Sequence, residues 1–207
     1  MKRIASVVLT CIATLSVLSC ATVDTVEFFR QFNYQNRTRL VIGETSESET
    51  IKLFGEPWTK STVGEFSRTE GEFSRWDYIY QAPKRGIRVL SLEFKDERLN
   101  AYVYVSTIPE DATDFDFDFD KGKLIDEQRS TKTDVLALIG EPFGKAICPS
   151  MISSYRQLCN MGSEVWYWYS SGPAASLRKT GIWYHEIAIA FDENGVVSGV
   201  HSERGHE

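Results

Sequence analysis

The sequence predicts an α+β protein made of two tandem units, each a short helix packed on a three- to four-stranded antiparallel sheet. Three observations in the 207-residue chain carry this expectation. A segment ending in Gly-Glu-Pro occurs twice without a gap, as TSESETIKLFGEPW at 45–58 and STKTDVLALIGEPF at 130–143. An aromatic run of period two follows each copy, RWDYIY at 75–80 and EVWYWY at 164–169. Each run is followed in turn by two alternating segments around a turn, at 89–105 and 186–200.

The chain opens with Lys2 and Arg3 and an apolar run from Ile4 to Leu18, so residues 1–19 read as a signal peptide. The run is too short to span a bilayer core of about 30 Å comfortably. Val17-Leu18-Ser19-Cys20 resembles a bacterial lipobox, which implies that Cys20 becomes the lipid-bearing first residue of the mature chain. A cut after Ser19-Cys20-Ala21, discarding Cys20 and releasing a soluble protein, is the alternative. By resemblance to bacterial sorting signals, Ala21 implies the outer membrane. Loss of Lys2 and Arg3 takes the formal net charge from -6 to -8. Residues 20–39 read as a lipidated tether.

The first unit is expected over 40–106. A Ser/Thr cluster with Glu47 and Glu49 precedes Ile51 and Phe54 at helical spacing, the pattern of a capped short helix. Gly55 can take the left-handed terminal conformation, and Pro57 cannot continue the ladder. Trp76, Tyr78 and Tyr80 then share one strand face, and Leu90, Leu92, Phe94 and Leu99 give the following hairpin an apolar side. Residues 107–124 read as an acidic, Phe-containing linker. The second unit, 125–202, repeats the scheme: Asp134, then Val135, Leu136, Leu138 and Ile139, then Gly140 and Pro142. Trp166 and Trp168 share a face, and a turn at Asp192-Glu193-Asn194-Gly195 carries the residues a tight hairpin needs. Residues 203–207 read as a mobile tail.

This order of capped helix, Gly-x-Pro, aromatic W-x-Y strand and hairpin with Phe before its turn resembles the SmpA/OmlA domain of BamE-like outer-membrane lipoproteins, over about 40–105 and again about 125–202. The tandem copies are also similar to the beta-lactamase inhibitory protein fold. The resemblance implies a non-enzymatic, outer-membrane-anchored lipoprotein facing the periplasm, which binds envelope proteins in outer-membrane assembly or envelope maintenance. The alternative it implies is an inhibitor or ligand-binding module whose concave sheet occludes an enzyme.

Side-chain chemistry points the same way. An acidic chain is a poor tracker of phosphate backbones, so nucleic acid is not an expected partner. No Gly-x-Ser-x-Gly, phosphate-binding Gly loop or His-Glu-x-x-His is present, and no catalytic residue or cofactor is expected. Cys11 leaves with the signal peptide, so Cys148 and Cys159 remain as a pair in an oxidising compartment and read as a disulfide. Zinc is the weaker reading because no Cys-x-x-Cys or nearby His accompanies them. In DFDFDFDKGKLIDE, 114–127, alternation would set Phe115, Phe117 and Phe119 against the aspartates. Asp116, Asp118, Asp120 and Glu127 fall at positions 1, 3, 5 and 12 of an EF-hand-like loop, but Lys121 stands where the sharp turn needs Gly. His185, His201 and His206 are too scattered to suggest a metal site. The EVWYWY strand is aromatic on both faces, and only one face can meet a helix. Trp76, Tyr78, Trp166 and Trp168 are therefore the candidate protein-binding residues, with core packing as the competing assignment.

Overall fold

A computed structural model describes residues 31–63, 72–82, 86–108, 111, 117–173 and 182–206. The signal peptide, Cys20, residues 20–30 of the expected tether and positions 114–116 lie outside these. Among the described residues no helix is long and apolar enough to cross a membrane.

The described part of the expected tether is a packed segment. Phe32 and Leu40 are buried on either side of a 3-10 turn, Tyr34–Arg39, which Asn33 caps by accepting from the Gln35 N–H. Helix α1 (Glu47–Phe54) starts with a capping box in which Ser46 and Glu49 satisfy each other's backbone N–H, and it stops at Gly55, whose φ of 79° favours glycine. Strands β1 (Thr59–Val63), β2 (Phe73–Ala82), β3 (Gly86–Lys95) and β4 (Arg98–Ser106) follow. A short helix, α2 (Phe119–Gly122), precedes α3 (Lys132–Ile139), which Thr131 and Asp134 cap as Ser46 and Glu49 cap α1. It ends at Gly140, again at φ 79°. The remaining elements are β5 (Gly144–Ile147), α4 (Ser153–Arg156), a 3-10 turn Leu158–Asn160, β6 (Glu164–Pro173), β7 (Ile182–Phe191) and β8 (Val197–His206).

Among the described residues the eight strands form one antiparallel sheet in chain order, β1 to β8. This corrects the expectation of two tandem helix-on-sheet units: the copies of the sequence repeat contribute to a single sheet and share the main buried cluster on one of its faces. The join is β4 against β5, with Ala101 opposite Ala146, Tyr102 opposite Lys145 and Val103 opposite Gly144. β4 is apolar on both faces, and a two-sided apolar strand is poorly suited to stand as a solvated sheet edge. Gly144 allows the close approach, because a Cβ there would run into the Tyr155 hydroxyl and stand 2.5 Å from the Tyr102 carbonyl oxygen. Phe54, Trp76, Leu92 and Tyr104 from the first half and Val135, Ile139, Trp168 and Ile189 from the second belong to one buried cluster.

Two further expectations change. Described residues of the 107–124 linker pack on the body. Ile108, Phe117 and Phe119 are buried, with Phe117 against Phe143 at 6.0 Å between ring centroids. Asp111 accepts two hydrogen bonds from Arg88, at 2.6 and 2.7 Å, and others from Tyr104 and Ser106. Burial alone would raise the Asp111 pKa, but Arg88 and these hydroxyls together hold it below the usual carboxylate range. At the other end β8 runs to His206, so residues 203–206 are strand and not a loose tail.

Candidate protein-binding face

A strand sends successive side chains to opposite faces of its sheet, and here the two faces are covered differently. On the first face lie α1, α3 and the Phe117–Phe119 segment. Trp76, Tyr78, Trp166 and Trp168 all point to it and are at most 5% exposed. The polar atoms of three of them bond within the protein: the Tyr78 hydroxyl donates to the Gly55 carbonyl at 2.9 Å, Trp168 Nε1 to the Gly140 carbonyl at 3.3 Å, and Trp166 Nε1 to the Glu164 carboxylate. Burial pushes the Tyr78 hydroxyl well above its ordinary pKa. The Lys60 ammonium lies 4.2 Å from the Trp76 ring centroid and that of Lys145 4.6 Å from Trp166, closing the remaining ring surface. These four aromatics, expected to meet a partner, are core. Period two shows that they share a face, while the apolar residues of the helices, Phe54, Val135 and Ile139, settle which face is covered.

On the second face the floor is built from small residues, Ala101, Ala146, Ala188 and Ala190, beside Val165 and Tyr167. A loop closed by the Cys148–Cys159 disulfide, Cα atoms 5.2 Å apart, covers this floor with Ile152, Tyr155 and Leu158. Tyr155 is wholly buried; its hydroxyl donates to the Tyr102 carbonyl at 2.7 Å, and its ring meets Tyr167 edge-on at 5.9 Å. Glu93 anchors the loop from β3. Its carboxylate accepts from Asn100 Nδ2 at 2.8 Å, from the Met151 N–H at 2.6 Å and from the Ser150 hydroxyl at 3.4 Å. Burial raises the Glu93 pKa, and those hydrogen bonds oppose the rise.

Beyond this loop the second face carries two half-buried patches. On β2–β4, Ile79, Val89 and Val105 stand in one cross-strand row, with Ile87 and Val103 beside them. On β6–β8 the corresponding row is Tyr169, Glu186 and Glu203. The rings of Tyr167, Tyr169 and Tyr184 stack in sequence, 6.3 and 6.4 Å between centroids and within 14° of parallel. Tyr167 donates to Glu186 at 3.1 Å and Tyr184 to Glu203 at 2.6 Å. These side chains, rather than the four tryptophan and tyrosine residues named from the sequence, make up the candidate binding face. Their signal was the two-sided aromatic pattern of 166–169; the valine and isoleucine patch has none beyond ordinary strand alternation.

The acidic segment lines a separate open groove of ≈ 630 Å³ with Leu138, Ile139, Ser170, His185 and Arg204. Asp118 caps α2 by accepting from the Asp120 and Lys121 N–H groups, Asp120 pairs with Lys123 and Arg204, and Glu127 accepts from the Val200 N–H. Among the described residues no group of three or more His, Cys, Asp or Glu is placed to hold a metal ion; Asp116 lies outside them. The His185 ring packs 4.9 Å from Phe119, and His201 is 3.8 Å from Glu203. Compared with protein-family models, curated proteins and solved structures, the chain finds no match.

Proposed function

We propose that the protein is a non-enzymatic, lipid-anchored component of a bacterial envelope, held at the outer membrane through Cys20 and facing the periplasm. It binds other proteins there, in outer-membrane assembly or envelope maintenance. The observation that carries the reading is the second sheet face, where a row of half-buried aliphatic side chains, Ile79, Val89 and Val105, is left beside a loop that covers the neighbouring floor. An apolar patch of this kind on a rigid sheet is suited to protein contact. The export segment, the lipobox-like Val17–Cys20 and the disulfide support the compartment.

Site-specific photo-crosslinking from positions 89 and 105 in intact cells tests this, with Val89→Asp and Val105→Asp as controls that leave the core untouched. The expected result is a discrete crosslinked protein at these positions, lost in the aspartate variants while the melting temperature stays within a few degrees. Crosslinks from the exposed side of α1 at Lys52 and none from the sheet would overturn the assignment of the face. Cys20→Ser should move the protein from the membrane to the soluble fraction.

A further inference from the structure

Phe32, Tyr34 and the α1 cap Ser46 recur at one constant offset along the chain as Phe117, Phe119 and the α3 cap Thr131. Each half therefore opens with the same aromatic pair packed on the first face. The cross-strand row beside Tyr34 is Tyr80, Arg88 and Ser106; the row beside Phe119 is Ser170, His185 and Arg204. The two rows hold equivalent places, because Tyr78 and Trp168, which bond the helix-ending glycines, stand two residues before Tyr80 and Ser170.

The first row is closed. The Arg88 guanidinium lies 4.4 Å from the Tyr34 ring centroid and 5.5 Å from that of Tyr80. The Asp111 carboxylate accepts from Arg88 at 2.6 and 2.7 Å and from the Ser106 hydroxyl at 2.6 Å, which leaves the Arg88 side chain 13% exposed. The second row is open. Phe119 meets His185 at 4.9 Å and Arg204 at 4.7 Å, as Tyr34 meets Arg88, but Ser170 stands where the first half has the Tyr80 ring. The groove of ≈ 630 Å³ lies there, and the Arg204 side chain is 50% exposed. Among the described residues the one carboxylate within 4 Å of Arg204 is Asp120, at 3.6 Å, beyond hydrogen-bond distance, and Lys123 holds it at 2.6 Å. The groove's other carboxylate, Asp118, caps α2 and pairs with Lys121.

We propose that the groove bounded by Phe119, Ser170, His185 and Arg204 binds an aromatic carboxylate. The carboxylate lies on the Arg204 guanidinium, which can take it in bidentate fashion as Arg88 takes Asp111. The ring lies beside His185, in the space that Tyr80 fills in the other half. The first half thus shows, within the same chain, which two groups this place in the fold accommodates. The site is on the first face and does not depend on the reading of the second.

The test is isothermal calorimetry at low salt on the full chain in detergent, with two probes, N-acetyltyrosine and the tetrapeptide Gly-Ser-Gly-Tyr. Saturable binding is expected, at least tenfold weaker when the carboxylate of either probe is amidated. Tighter binding of the peptide would identify a chain end as the source of the group, and tighter binding of N-acetyltyrosine a free small molecule; either supports the site. Arg204→Gln should weaken both probes at least tenfold with the melting temperature unchanged. Ser170→Tyr, which supplies the ring carried at position 80, should abolish binding without lowering the melting temperature. Arg39→Gln removes an exposed arginine outside the groove and should change nothing. No saturable binding of either probe, equal weakening by Arg204→Gln and Arg39→Gln, or undiminished binding to a folded Ser170→Tyr variant would overturn the proposal. Arg204→Gln decides alone should Ser170→Tyr fail to fold.

Discussion

Trp168 has no exposed surface, and its indole N–H reaches the carbonyl of Gly140, the residue that ends α3. Tyr78 makes the same kind of bond to Gly55 at the end of α1. In each half an aromatic strand residue thus satisfies a carbonyl that the end of the helix leaves without an internal partner. These residues were legible as a strand face, and their role as anchors was not, because a one-dimensional period carries no information about which side a helix will occupy. Trp168→Ala should therefore cost about 3–5 kcal/mol of folding stability, the usual range for deleting a buried aromatic side chain. Urea denaturation reads this directly, and a loss below about 1 kcal/mol would contradict the core placement.

The capping boxes of α1 and α3 were readable from residues alone, since Ser or Thr followed three positions later by an acid has few other uses before an apolar run. The loop over the second face was not. Between Cys148 and Cys159 the sequence offers no period, and the cysteine pair alone does not reveal that Tyr155 enters the sheet floor or that Glu93, more than fifty residues earlier, holds the Met151 N–H. Two sets of restraints hold this element, one covalent and one made of hydrogen bonds and buried side chains. Replacing both cysteines by serine should lower stability by about 2–3 kcal/mol through the freed entropy of a loop of this length. The amides of Met151 and Tyr155 should nevertheless stay protected in hydrogen exchange. Exchange of 148–160 at the rate of an unfolded chain would show that the covalent bond alone keeps the loop in place.

At the scale of the molecule, the repeat in the sequence pointed to two bodies because each copy holds a helix and a meander of its own. The joining strand β5 is only Gly144–Ile147, too short for its alternation to stand out from a connection. The clue that β4 is interior lay in its two apolar faces, Tyr102 and Tyr104 on one side and Ala101 and Val103 on the other, which suit a paired strand better than an edge. A core shared by both halves should melt in one cooperative step. Calorimetry should give a calorimetric enthalpy equal to the van't Hoff value, and two resolved transitions would show the halves to be energetically separate. Because spatial neighbours in the sheet are also successive along the chain, every strand pairs with the one made just before it. No long segment has to be brought back past others to complete the ladder. Apart from the 107–143 connection between β4 and β5, the entropy of ring closure is met in small instalments, and the protein should zip up faster than a Greek-key sandwich of equal size.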